Sequence, residues 1–526
     1  MSGTVDRALV IGSSIAGLLA AQALSEAYAE VIVLDRDDLP YGPVPRNGVP
    51  QIRHAHGLLA GGREAMEALL PGLTADLVGA GAIVGDAQEA MHYYAGTRRY
   101  ATGTSGLTAV AVSRVLLEWT IRRRVAETPG IVFYDRSSVL DLTFSEDGRR
   151  VTGVVVSSVD RPGSPRRLEA DLVVDASGRT SRTPEWLERR GFQPPEEERV
   201  RCDISYATRR FRRRPGDAGE ALAVLQPASA AVPRSGVLIA QENDEWVAGL
   251  TGYHGVRPPT PLPEFLAYAR TLEAPAMAAI LEGLETLDDG CTYRFQASVR
   301  RRYERLVEAP DGIVVIGDAL SSFDPAFGQG MSTAALEAVA LRTALAEGRT
   351  DLGRRFFHRA AQHVDTPWQI VVGGMPPAPG TTVRKPLADR LVGSYLTALR
   401  YAAVDDPALA RAFLRVAHMT APPQSLMAPG LVARVLSRAL LDRAAVAGPA
   451  PGVVPTPRGL GHGVTSRPRP RAAVPSTQPR VAGTRFTTRP DTSREEAHHR
   501  RQCPPRDQPV GLRASATAGP QGSLEP

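Results

Sequence analysis

Two clusters of glycine and carboxylate, far apart in the chain, carry the residue types that can hold a phosphorylated ligand. The first is Gly12-Ser13-Ser14-Ile15-Ala16-Gly17, with Asp35 lying 18 positions after Gly17. Gly12 permits a tight turn and Gly17 lets a helix pack closely on a strand. The helix N-terminus offers unpaired N–H groups and partial positive charge to a pyrophosphate. Asp35 stands near the place of a carboxylate that holds a ribose hydroxyl. Ser14 takes the position of the middle glycine, and this segment alone suits NAD as well as FAD. The second cluster is Gly317-Asp318-Ala319, followed by Pro325-Ala326-Phe327-Gly328-Gln329-Gly330-Met331. Its two glycines at a helix start again bring bare backbone N–H groups toward a ligand.

The elements that must position these residues are legible around them. Residues 8 to 11 form a short apolar run, Leu18 to Leu24 a helical run, and Val31 to Leu34 a second apolar run ending at Asp35, which is the βαβ dinucleotide pattern. Ile313 to Ile316 predicts a buried strand before Gly317, and Ser332 to Leu341 a helix after Gly330. Val84-Gly85-Asp86-Ala87 repeats the Gly-Asp-Ala triplet without the later Pro and Gly pair, and is read as a turn. The expected fold is α/β: a Rossmann-type domain (1–80, 106–184 and 291–370) interleaved with a β-rich substrate domain (81–105 and 185–290). Helices are expected over 371–445, interrupted at Pro376-Pro377-Ala378-Pro379-Gly380, and a disordered Pro/Arg-rich tail over 446–526.

Taken together, the two clusters resemble the class A FAD-dependent monooxygenases, whose second FAD signature reads Gly-Asp-Ala, then Pro-x-x-Gly-x-Gly. Arg46-Asn47-Gly48-Val49-Pro50-Gln51-Ile52-Arg53-His54-Ala55-His56 resembles a loop of one subset, the bacterial polyether epoxidases and the relatives of squalene epoxidase. Val112-Ser113-Arg114 resembles the segment in which an Arg at a helix start reaches FAD. Weaker likeness runs through Ile204 to Arg209, Trp246 to Gly252 and Asp365 to Trp368. The resemblance implies cofactor contacts from Gly12, Ser14, Gly17, Asp35, Arg36, Arg46, Arg53, Arg114, Gly317, Asp318, Gln329 and Met331. It places Pro325, Gly328 and Gly330 at the reacting ring, and gives His54 and His56 polar contacts beside the cofactor. No ligand set accompanies the two histidines, so no metal is expected. The Asp-Gly motif that serves FAD and NAD(P)H is altered at Asp175-Ala176-Ser177-Gly178, where Ser177 replaces the Asp. NAD(P)H as reductant, used directly or through a flavin reductase, is therefore expected on the resemblance alone.

The resemblance implies reduced FAD, O2 and a flavin hydroperoxide that passes one oxygen atom to a hydrophobic natural product, by epoxidation of a polyketide or terpenoid alkene or by hydroxylation. Two alternatives stay open: a reductase or dehydrogenase acting on an isoprenoid or polyketide C=C bond, and a flavin-binding accessory protein without turnover. A halogenase of this kind uses an active-site lysine and a Trp-x-Trp-x-Ile-Pro motif; here lysine occurs once, as Lys385, and the Trp motif is absent.

With 526 residues the chain can bury a substantial core over two or three domains. Three separated cysteines, Cys202, Cys291 and Cys503, suit a reducing cytoplasm. No apolar run spans a membrane and no signal peptide is evident. The net charge of +6 comes from the tail, where twelve arginines against five acids follow Pro451, so no nucleic-acid partner is expected for the folded part. Family-like sequence fades near Leu441, which fits a shifted reading frame that sequencing the gene across codons 440 to 460 would reveal.

Overall fold

The computed structural model describes residues 6–160, 163–374, 376 and 387–446. Five short apolar runs form a parallel sheet in the order Ile313–Val315, Leu172–Asp175, Arg7–Ile11, Glu30–Leu34, Ile131–Tyr134. They are apolar on both faces because both faces are covered. Ala8, Val10, Val31 and Val33 pack with the helices Ile15–Leu24, Arg114–Ala126 and Gly330–Ala346. Leu9, Ile11, Ile32 and Leu34 pack instead on an antiparallel sheet of Ser137–Phe144, Val151–Ser158 and Arg166–Glu169. The alternation follows from the two-residue period of a strand. At the carboxyl ends the Gly12 N–H donates to the Leu34 carbonyl at 2.7 Å, that of Ala176 to Ile11 at 2.9 Å, and that of Ile316 to Asp175 at 2.9 Å. Three consecutive turns are thereby drawn into one crevice, the usual ligand position of such sheets.

A second, eight-stranded sheet runs in the order Ser321–Ser322, Cys291–Arg301, Glu197–Arg212, Glu245–Gly252, Arg234–Gln241, Ala223–Gln226, Met91–Ala95, Arg98–Arg99. One face buries Ala207, Phe211, Leu238, Trp246 and Leu250 against the helices Leu262–Ala269 and Ala276–Leu281. The other face carries the cross-strand row Tyr93, Leu225, Val237, Gly249, Thr208 and looks toward the cofactor half, where Ala55 lies 3.5 Å from a Cβ built on Gly249. The 16-residue strand Glu197–Arg212 shifts register between Arg201 and Ile204, with Asp203 at φ +39°. This irregularity re-aims the strand as it passes from one half to the other.

Two expected boundaries move. Cys291–Arg301 pairs with Glu197–Arg212 and belongs to the large sheet, so position 291 falls at the start of one of its long strands rather than at a return to the Rossmann-type part. Thr108–Ala111 pairs with Ile83–Asp86 across the expected division at 105/106. The second Gly-Asp-Ala triplet is the end of that strand: Asp86 caps the helix Ala87–Ala90 by accepting from the Gln88 N–H, and also binds Ser105. Helices Leu352–Gly374, Leu387–Ala402, Pro407–Ala417 and Pro429–Val446 complete the described chain. Of the expected breaker, residues 377–380 lie outside the described residues, as do Lys385 and the tail beyond Val446. Among the described residues no helix is long and apolar enough to cross a membrane.

Candidate functional site

The turn after the first strand needs its glycines. Gly12 has φ +100°, and a Cβ there would meet the Ala176 carbonyl oxygen at 2.6 Å. A Cβ on Gly17 would overlap the Gly12 carbonyl oxygen. Ser14 is the extended N-cap of the first helix, yet its side chain does not cap it. Its hydroxyl donates to Glu118 Oε2 at 2.8 Å and accepts from Arg114 Nη2 at 2.9 Å. Asp35 accepts from the Ser13 N–H at 2.8 Å and from the Ser13 hydroxyl.

These residues form a buried ionic cluster. Arg46 donates to Glu118 Oε1 at 2.8 Å, to Asp37 at 2.9 Å and to Asp35 at 3.3 Å. Glu118 is 1% exposed. Burial works to raise its pKa, but Arg114 and Arg46 outweigh it and hold the carboxyl below the usual range. Sequence reasoning missed Glu118. The signal was an acid four positions after Arg114, on an otherwise apolar stretch of helix. Arg36 is exposed and has no hydrogen bond among the described residues, whereas Arg53 ends a 3-10 turn and is half-buried.

At the second cluster the Gly317 N–H donates to Glu337 Oε2 at 2.6 Å. Glu337 is fully buried, and burial pushes its carboxyl up to about 8, so it is a neutral acid at pH 7. It supports the Gly317-Asp318 turn from beneath and was not singled out from the sequence, although it is the one acid in the run 332–341. Asp318 has no hydrogen-bond or ion-pair partner among the described residues; burial raises its pKa, with Arg114 and Arg179 opposing. Gly328 has φ +66°, and a Cβ there would meet nothing within 4 Å. Its own N–H is taken by the Pro325 carbonyl at 3.0 Å, so Gly328 does not offer the bare N–H expected of it. Gly330 begins the long helix, which no side chain caps. Gln329 is 2% exposed with an unpaired Oε1, Pro325 is exposed, and Met331 is turned into the apolar core.

The side of the crevice facing the large sheet is polar and aromatic. His54 Nδ1 lies 2.8 Å from Thr208 Oγ1, and its ring centroid is 5.5 Å from that of Tyr293. His56 Nδ1 lies 2.8 Å from the His54 carbonyl oxygen. Burial holds His54 down to about 4, and burial with the Arg114 charge holds His56 down to about 3, so both are neutral at pH 7. Each histidine thus has its own partner rather than a shared point of ligation. Ser177 is exposed, and its N–H donates to Asp175 at 2.9 Å.

The residues present fit FAD. A helix N-terminus without a side-chain cap, an unpaired Asp318 carboxylate, an unpaired buried Arg114 Nε and Gln329 Oε1, and open space at Gly328 all border one crevice. Unpaired buried polar groups are costly, and a dinucleotide with phosphate and polyol groups would satisfy them. The first helix would receive the pyrophosphate and Asp318 a ribityl hydroxyl.

Comparison with known proteins agrees. The family described as FAD binding domain matches residues 6–355. Protein Rv3254 of Mycobacterium tuberculosis (strain ATCC 25618 / H37Rv) is 36% identical over 426 residues, covering 78% of this chain and 89% of its own. In fold the chain is similar to the flavin-dependent brominase Bmp2, with TM-score 0.58, 17% identity, and 83% and 98% of the two chains covered. It is similar also to a flavoprotein/dehydrogenase of Cytophaga hutchinsonii, with TM-score 0.57, 17% identity, and 83% and 99% covered. With both signatures placed in one crevice and the family match spanning both, the chain belongs to the FAD binding domain family, that of the class A flavin-dependent monooxygenases.

Proposed function

We propose that the protein is an FAD-dependent monooxygenase that places one atom of O2 on a hydrophobic organic substrate, by epoxidation of a polyketide or terpenoid alkene or by hydroxylation. The observation that carries this reading is the crevice itself: unpaired cofactor-type groups on one wall face a sheet whose row Leu225, Val237, Gly249 is apolar, with Leu225 and Val237 partly accessible. FAD, when bound, supplies the electrons and the oxygen activation, one oxygen atom going to the substrate and the other to water.

The chain's own residues bind, orient and exclude water. Leu225 and Val237 offer apolar surface without competing hydrogen bonds, and Gly249 lets Ala55 of the cofactor half approach the sheet closely. Thr208, Tyr293 and neutral His54 at one end of the row offer donors and acceptors to a substrate hydroxyl or carbonyl. Neutral Glu337 keeps negative charge from accumulating beneath Asp318. NAD(P)H is the proposed reductant, used directly or through a flavin reductase.

The test combines the visible spectrum of the purified protein with 18O2 labelling. We expect bound FAD and, with a polyunsaturated polyketide or terpenoid alkene, product carrying one labelled oxygen. Reduced product without label would transfer the assignment to a C=C reductase; bound FAD with no product under any reductant would favour an accessory role.

A further inference from the structure

The turn between the two halves of the second cluster is held by residues that the cofactor reading does not use. Asp324 is completely buried and caps the 3-10 turn Pro325–Phe327, accepting from the Ala326 N–H at 2.9 Å. Its two carboxylate oxygens accept from phenols of the large sheet: Tyr206 to Oδ1 at 2.8 Å and Tyr253 to Oδ2 at 3.4 Å. Tyr206 Oη in turn accepts from the Ala326 N–H at 3.1 Å. Tyr206 lies within Glu197–Arg212, and Tyr253 follows Glu245–Gly252, the strand paired with it. The ring of Tyr206 lies 6.3 Å from that of Tyr293, which neighbours His54 in the crevice. On the other side Phe323 packs edge-on to Trp368, and Phe327 lies against Gly374, so the long helix Leu352–Gly374 braces the same turn.

We propose that Asp324 is a positioning residue: with Tyr206 and Tyr253 it pins the Pro325–Gly330 turn to the floor of the substrate sheet, so that the cofactor-facing turn and the substrate surface keep one fixed spacing. The proposal rests on the FAD reading above and adds to it the residues that set the turn. A turn of three 3-10 residues and two glycines has little to hold it by itself. Three hydrogen bonds to one buried carboxylate supply that constraint, and bonds to a charged acceptor are the stronger kind. Burial raises Asp324 to about 6 while Ala326, Tyr206 and Tyr253 oppose the rise, which leaves it ionised at neutral pH. Removing one phenol hydroxyl changes the constraint with little change of shape.

The experiment uses the full chain loaded with FAD and compares Tyr206→Phe, Tyr253→Phe and Asp324→Ala with Tyr395→Phe. Tyr395 donates to the Leu426 carbonyl at 2.6 Å in the C-terminal helices, so its variant loses a comparable bond away from the crevice. The readouts are the visible circular dichroism of the bound flavin and the FAD dissociation constant. We expect Tyr206→Phe and Asp324→Ala to alter the flavin dichroism and to weaken FAD about tenfold, ~1.4 kcal/mol. Tyr253→Phe, with the longer bond, should move both less, and the double variant Tyr206→Phe/Asp324→Ala should be no worse than Asp324→Ala. Tyr395→Phe should lower Tm alone. Wild-type dichroism and affinity in Tyr206→Phe overturn the proposal, even if its Tm falls; that variant decides the matter should Asp324→Ala fail to fold. A wild-type chain that takes up no FAD overturns the functional reading and this proposal together.

Discussion

Glu118 shows how one side chain organises the crevice beside the first glycine turn. Its Oε1 accepts from Arg46 and its Oε2 from Ser14 and Arg114, while Arg46 also binds Asp35 and Asp37. A buried ion cluster of this kind adds little net stability, but loss of one member leaves the others charged and unpaired. Glu118→Gln keeps the shape and one acceptor, and turns an amide N–H2 toward an arginine donor. We expect it to lower the unfolding free energy by about 3 kcal/mol, read by urea denaturation, and to weaken FAD because Arg114 loses its anchor. The cluster also accounts for Ser14. The hydroxyl that departs from the glycine pattern is the link between Glu118 and Arg114. The glycines and Asp318 were legible in the sequence because backbone strain and open carboxylates restrict residue type. Glu118, Glu337 and Asp324 were not, because each acts on a partner brought near only by the fold.

At the scale of elements, the helix Ala60–Leu69 is notable for lacking a cap of its own. Leu59 precedes it, and no side chain of the flanking residues satisfies its first N–H groups. His418, at the end of the helix Pro407–Ala417, does so from across the molecule. Its Nδ1 accepts from the Ala60 N–H at 3.3 Å, its carbonyl accepts from Gly61 at 2.9 Å, and its Nε2 lies 3.1 Å from the Tyr93 hydroxyl. This pattern assigns the proton to Nε2. Burial holds His418 down to about 4, against 6.5 for a free histidine. The folded pKa is depressed, so the stability it contributes is present above pH 6.5 and is lost as pH falls through about 4. We expect His418→Gln to be about 1–2 kcal/mol less stable at pH 7 and to show a shallower fall of Tm between pH 6.5 and 4. His54 and His56, also depressed, leave part of the slope in the variant. Elements such as the strand Ile313–Val315 and the helix Gly330–Ala346 lay where the apolar runs placed them. This cap did not, since it joins residues whose nearness no local pattern encodes.

For the whole molecule, the two sheets share one neck. Arg301 donates to the Ala319 carbonyl at 2.8 Å, to Glu197 at 2.9 Å and to the Arg179 carbonyl at 3.4 Å, tying the second cofactor turn, the long strand and the altered Asp-Gly loop together. Only 8% of it is exposed. Arg301→Met should cost about 2–3 kcal/mol through the buried acceptors left unpaired, and the molecule should still melt in one transition by both far-UV and flavin signals. Two separated transitions would show that the neck is what makes the halves cooperative. The expected boundary at 291 missed this joint because Cys291–Arg301 mixes polar and apolar residues, and no local pattern says which sheet it joins.

The cap on Ala60 also fixes an order in time. Its donor and its acceptor are 358 residues apart, and the last strand of the parallel sheet, Ile313–Val315, is likewise made late. A ribosome adding about 5–20 residues per second therefore exposes the first helices for on the order of half a minute before their partners exist. The glycine turn at Gly12 is synthesised long before the strand that completes its sheet, so cofactor loading waits for that later segment.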